Sequence, residues 1–271
     1  MIKWIITIIR DNIQRLPITL CFAKKDIKRA HMKSDLGWFW AIAKPLFYIL
    51  MFYFAISTGF KNAKDVDGIV CPYFIWLASG IVPWQYVSDL LVSGGNCFNK
   101  YKSIITNTKY PVSAIPTIPV ISKLFIHCIM VGVLIFIALL MGVKPSIYWL
   151  QLPIYMFLTI LFLYLWVTMT GLMTVMSADI LEFIRTIRTA FFWLSGILFN
   201  SRKKKSLFFA LNPIRFIAEG YRNVFAYHVW IWEQRRLLFY FCIVMLLMTI
   251  VTFLLYKRME KRMPEMVEGV R

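Results

Sequence analysis

Glu219, Arg222 and His228 are the residues whose types and spacing come nearest to catalytic work, a carboxylate, a guanidinium and an imidazole within ten positions. Such a trio could serve general acid–base chemistry, as in a membrane-embedded glycosyl- or acyltransferase. The plainer reading is that the three satisfy one another inside an apolar segment, since no further convergent polar group accompanies them. The sequence has no GxxxxGK[ST] run, and Gly94-Gly95 lacks the Lys and Ser or Thr that would follow, so nothing here cradles a nucleotide phosphate. His31, His127 and His228 are too dispersed for a metal pair. The five cysteines are scattered without a CxxC, which gives neither a metal site nor a disulfide framework. No catalytic, cofactor or metal residue is therefore expected in this chain.

Ion coupling is disfavoured on similar grounds. Carriers driven by protons or sodium need buried acids near the membrane midplane. In the five strongest apolar stretches the single acid is Asp89, near one end. If this chain transports, its energy comes from a partner.

The elements that hold these residues are membrane helices. Of the 271 residues 60% are hydrophobic and only 16% charged, more apolar surface than a soluble chain can bury. The net charge of +18 lies largely beside the apolar stretches, which favours anionic lipid headgroups over nucleic acid as its counterpart. Spans need about 20 apolar residues. Trp38–Phe60, Tyr73–Val92, Val120–Met141, Ile147–Met176 and Leu237–Tyr256 qualify, and Leu181–Phe199 is a weaker sixth because Arg185 and Arg188 lie in its first turns. The fold class expected is all-α and polytopic, a single domain over 1–271.

Six spans place both termini on one side. That side holds 19 of the 31 Lys and Arg, counting Lys123 and the Arg185–Arg188 pair with their loops, against 11 opposite and Lys44 within the first span. The positive-inside rule then sets both termini in the cytoplasm. Arg202-Lys203-Lys204-Lys205 falls outside and runs against it.

Three segments between spans carry further expectations. In the cytoplasmic segment 1–35, Ile18–Lys33 reads as an in-plane amphipathic helix, with Leu20, Ala23, Ile27 and Ala30 on one face and Lys24, Lys25, Lys28 and Arg29 on the other. Ser34 or Asp35 would cap the next helix. The loop 93–119 has room for a short helix with Ile104 and Ile105 exposed among Lys100, Tyr101 and Lys109, which suits a docking element; a solvated loop on headgroups fits these residues equally. In 200–236, Ser206–Trp232 is too apolar for a free loop and too charged to span. Asn212-Pro213 breaks it near the middle, as two short helices dipping into the membrane would require, though interfacial helices in an external loop fit as well.

Several motifs resemble a known family. Lys25-Asp26, Ser34-Asp35-Leu36-Gly37-Trp38-Phe39-Trp40, Lys44-Pro45-Leu46, Gly80-Ile81-Val82-Pro83-Trp84 and Lys109-Tyr110-Pro111 resemble ABC-2-type polysaccharide and polyol-phosphate export permeases. Leu211-Asn212-Pro213-Ile214, Glu219-Gly220-Tyr221-Arg222, Phe225, Tyr227-His228 and Trp230-Ile231-Trp232-Glu233 look most like the wall teichoic acid translocation permeases of Gram-positive bacteria. The resemblance implies a multi-pass half-channel in a bacterial cytoplasmic membrane. Two copies would pair, each binding a separate ATPase subunit that holds ATP and Mg, and pass a lipid-linked polymer outward.

It also implies roles. Lys100–Lys109 would be the coupling helix, Ile18–Lys33 the interface helix and Ser206–Trp232 re-entrant gate helices. The channel and gate candidates are Trp38, Trp40, Phe47, Asn212, Pro213, Glu219, Tyr221 and Arg222, and the rings of Trp38, Trp40, Phe47 and Tyr221 could pass sugar faces. Wall teichoic acid is the favoured cargo; O-antigen, capsule or a smaller amphiphile are the alternatives on the same architecture.

Overall fold

The computed structural model describes residues 2–31, 36–59, 68–200, 209 and 211–259, and all regular elements among them are helical. In chain order they are α1 (Ile2–Gln14), α2 (Leu16–His31), α3 (Gly37–Gly59), α4 (Tyr73–Ser93), α5 (Cys97–Lys100), α6 (Lys102–Asn107) and α7 (Thr117–Leu140). Then come α8 (Leu152–Met176), α9 (Asp179–Leu194), α10 (Pro213–Arg222) and α11 (Arg235–Met259). The expected caps Ser34 and Asp35, the basic run Arg202–Lys205 and the side chain of Trp38 lie outside the described residues.

Among the described residues, four stretches are long and apolar enough to cross a membrane: Phe39–Thr58, Val112–Leu140, Ile147–Met176 and Ile231–Met259. Their apolar surface mostly faces outward; only 17% of the most apolar part of Ile231–Met259 is buried in the protein. Phe136, Leu140, Phe157, Phe239 and Leu254 stand exposed along α7, α8 and α11, which water would penalise and lipid accepts.

The other two expected spans differ for a physical reason. α4 has 21 residues, but Ser79, Gln85, Ser88 and Asp89 interrupt its apolarity, because it faces protein rather than lipid. It is the axis of the core, packed by α3, α7, α9 and α10, with Ile75, Trp76, Leu77 and Leu90 at zero exposure. α9 has only 16 residues, opens on Asp179 and Glu182, and buries little beyond Ile184 and Phe192.

The N-terminal segment contains more structure than the sequence reading anticipates. The helix expected over Ile18–Lys33 is described over Leu16–His31, with Met32 and Lys33 outside the described residues, and a second amphipathic helix, α1, precedes it. Lys24, Lys25, Lys28 and Arg29 are exposed as expected. The apolar face is rotated, however. Thr19 and Ala23 are buried, whereas Leu20 at 48% and Ala30 are exposed. Ile6, Ile9 and Ile13 form an outward apolar face on α1.

Beyond α9, Gly196 takes φ +71° and turns the chain. After the undescribed residues, Asn212 caps α10, its side-chain oxygen accepting from the Ile214 amide at 3.0 Å, and Pro213 occupies the first turn. A π-turn over Asn223–Tyr227 follows, then left-handed His228 at φ 53°. Residues 214–227 are buried throughout, enclosed by α4, α8 and α11. Gly220 permits this enclosure: a Cβ there would lie 2.3 Å from the Tyr155 ring of α8.

Candidate functional site

Two sites emerge at opposite ends of the bundle, with a cleft between them. At the first, α1 and α2 pack beneath the loop 93–119. Asp26 of α2 is the hinge of this contact. One of its carboxylate oxygens accepts from Lys100 Nζ at 2.5 Å and from the Tyr101 hydroxyl, and Lys100 also lies 5.0 Å over the Tyr101 ring. The Asp26 side chain is 10% exposed, so both bonds are partly withdrawn from water. Burial, and then the Asp26 carboxylate, push the Tyr101 phenol well above its ordinary range, which keeps it a donor.

Further ties run alongside. Thr19 Oγ1 and the Tyr110 hydroxyl are 2.5 Å apart, the Phe22 and Tyr110 rings meet edge-on at 5.8 Å, and Ser113 Oγ donates to Asp11 at 2.9 Å. Thr117 bonds Asn12 as well. Tyr164 of α8 donates to the Ser113 carbonyl at 2.9 Å, which joins the same loop to the core.

The expected docking pair is only half as described. Ile105 is buried, at 7% exposure, and Ile104 is half-buried, so the two are not an exposed pair. The six-residue α6 turns Ile105 inward and Ile104 to its flank, leaving Ser103, Asn107 and Lys109 exposed. Lys100 is half-exposed and Tyr101 buried. The sequence reading missed Asp26, Thr19 and Tyr110 as site residues. The available signal was Asp26 itself, one acid set among Lys24, Lys25, Lys28 and Arg29.

The second site is the buried α10. Arg222 and Glu219, one turn apart at 0% exposure, form a 3.1 Å ion pair. The Arg222 guanidinium lies 3.7 Å over the Trp76 ring and donates to the carbonyls of Gly196 at 3.0 Å and Ile197. One side chain thus bonds the chain just past α9, the first turn of α4 and its own helix. His228 does not complete a trio with them; it stacks on Tyr148 at 5.1 Å, carried away by the π-turn. Tyr221 is fully buried and meets His127 Nε2 of α7 at 2.7 Å, while the Tyr86 ring stacks on the imidazole at 4.8 Å.

A cleft of about 670 Å³ opens between α2, α3, α4, α7 and α9. Its walls carry the rings of Trp40, Tyr48, Trp84 and Phe192; Lys44, Lys123 and Arg188 supply positive charge, and His127 lies at its inner limit. Lys123 pairs with Asp89 at 2.8 Å, and Lys44 sits 5.9 Å over Trp40. Trp40 is exposed at 40% and Phe47 at 58% on α3. Of the expected ring surface, then, Trp40 borders the cleft and Phe47 faces outward, while Tyr221 is enclosed by protein.

A multi-pass helical membrane protein with a tied loop at one end and a buried polar helix at the other is the class these features define. The chain belongs to the ABC-2 type transporter family, which it matches over residues 19–226, from α2 to the π-turn. It is accordingly a transmembrane subunit of an ABC transporter, and the family implies a separate ATPase as partner. Two O-antigen export system permease proteins of Klebsiella pneumoniae are similar to it, at 24% and 22% identity over 254 residues. Those alignments cover 92% of this chain and 95% of each relative.

Proposed function

We propose that this chain is the membrane half of a bacterial ATP-driven exporter that moves a lipid-linked cell-surface glycopolymer out across the cytoplasmic membrane. The observation that carries the reading is the similarity to two O-antigen export permeases along almost the whole chain. In this reading the chain is one ABC-2 domain with six spans, α4 and α9 joining the four strongly apolar helices, and both termini are cytoplasmic. Two copies form the channel, and each engages one ATPase subunit, which binds ATP and Mg.

The loop containing α5 and α6 is the docking element. Its outward residues Ser103, Asn107 and Lys109, with the half-buried Ile104, present a small polar surface with an apolar flank, backed by the tie to α2. The enclosed α10 is the re-entrant gate helix, since polar backbone at membrane depth is tolerated where protein surrounds it. The cleft suits the charged end of a lipid-linked glycan: Lys44 and Arg188 attract phosphate, and Trp40 and Tyr48 offer faces to sugar rings.

The relatives favour O-antigen as cargo, whereas the Leu211–Ile214 and Glu219–Arg222 motifs favour wall teichoic acid. Depleting the protein in its native host and chemically typing the lipid-linked glycan that accumulates on the cytoplasmic side decides between them. Accumulation of a sugar-only repeat supports the first and of a polyol-phosphate repeat the second. Undiminished surface polymer with no accumulation overturns the export reading.

A further inference from the structure

The ties between the N-terminal helices and the loop 93–119 are more numerous than anchoring a helix to the membrane surface needs. α1 and α2 have apolar faces for lipid, yet their polar side chains are spent on the loop: Asp11, Asn12, Thr19 and Asp26 each hold a different point along it, from Lys100 to Thr117. Of the two acids among these, Asp11 accepts from a hydroxyl, whereas Asp26 forms an ion pair with Lys100 and reaches the helical part of the loop. Its own helix offers four exposed cations at Lys24, Lys25, Lys28 and Arg29, and the carboxylate is nonetheless directed across to Lys100 and Tyr101. At the other end of this assembly Trp4 of α1 packs its ring on Phe253 and Tyr256 of α11, at 5.3 and 5.8 Å.

We propose that Asp26 is a positioning residue for energy coupling, its carboxylate joining the loop that meets the ATPase to α1 and α2 so that the three move as one plate. The proposal rests on the docking reading given above. A displacement of α6 then reaches α11 through α1 and Trp4, and reaches α8 through Ser113 and Tyr164. A loop attached only through its two ends would absorb the same displacement by bending. Asp26 touches neither nucleotide nor cargo in this account; it acts through Lys100 and Tyr101.

The test uses the full permease with its ATPase, with exposed Cys21, Cys128 and Cys242 replaced and nitroxides placed at the exposed positions Lys28 and Ser103. Pulsed electron resonance reads the distance between α2 and α6, first in the permease alone and then in the complex. With labelled subunits diluted into unlabelled ones, so that within-subunit distances dominate, the parent should give one narrow distribution that nucleotide does not broaden. Asp26→Ala should broaden it and lower the stimulation of ATP hydrolysis by the permease about fivefold to tenfold, with the ATPase still bound. Asp26→Asn, which keeps an acceptor for Tyr101 but loses the charge, should fall between. A distribution in Asp26→Ala as narrow as the parent's, or undiminished stimulation, overturns the proposal. Should Asp26→Ala fail to fold, Tyr101→Phe removes one of the two donors and must shift both readings in the same direction. Ile104→Asp separates the two ideas. If the ATPase still binds that variant, the docking reading fails, whereas the distance in the permease alone still tests the tie.

Discussion

The guanidinium of Arg222 rests 3.7 Å over the indole of Trp76, and the Trp76 ring nitrogen donates to the Tyr227 hydroxyl at 2.7 Å. The pair joins α10, its π-turn and α4 inside the core, where Trp76 and Arg222 are both fully buried. It also explains Gly80: a Cβ at that position would lie 2.9 Å from Arg222 Nη2, so a larger residue would displace the guanidinium from the ring.

Arg222→Gln should be severely destabilising. It removes the ion-pair partner that Arg222 supplies to Glu219, whose side chain is 1% exposed, and the donors to the carbonyls of Gly196 and Ile197. Breaking one side of a buried ion pair typically costs about 3–5 kcal/mol. Thermal unfolding in detergent should show the loss as a lower melting temperature, and an unchanged melting temperature would contradict it.

Gly220→Ala tests the approach of α10 to α8. Its Cβ would come within 2.3 Å of the Tyr155 ring, a packed neighbour with 1% exposure. Overpacking of this kind typically costs about 1–3 kcal/mol. Adding Tyr155→Leu should restore much of the melting temperature; a melting temperature unchanged by Gly220→Ala alone would mean that α10 has room to shift.

Ile104 and Ile105 should separate docking from folding. Ile104→Asp should reduce ATPase binding with the permease's melting temperature nearly unchanged. Ile105→Asp buries a carboxylate at a site of 7% exposure and should lower both. Equal effects of the two substitutions on melting would place Ile104 inside the fold rather than at a docking surface.

Tyr221→Phe removes the partner of His127 Nε2, leaving a buried polar atom unsatisfied. Such a loss costs about 1–3 kcal/mol. The melting temperature should fall, and His127→Leu made in the Tyr221→Phe background should add less than it does alone, because the two groups form one unit.

Much of this architecture is written in the sequence, and the exceptions have physical causes. α3, α7, α8 and α11 are legible because lipid selects long unbroken apolar runs. α4 is legible by length, but its polar positions conceal that it is the most enclosed of the long helices. α10 is announced by Asn212-Pro213, and its enclosure by the mixture of apolar residues with Arg215, Glu219 and Arg222, which need protein partners. α1 escapes notice because its run of Ile has low intrinsic helix preference, and Trp4 packing on Phe253 and Tyr256 supports it from the far end of the chain. The Asp26–Lys100 contact spans 74 positions. No local spacing encodes a pairing of that range, so it is visible only in three dimensions.

The most direct measurement of the central claim is extraction of the tagged chain from its native membrane in mild detergent, with mass spectrometry of what accompanies it. The account predicts a stoichiometric soluble protein that carries a P-loop, released by Ile104→Asp. Recovery of the chain alone, under conditions that keep other membrane complexes intact, would contradict it.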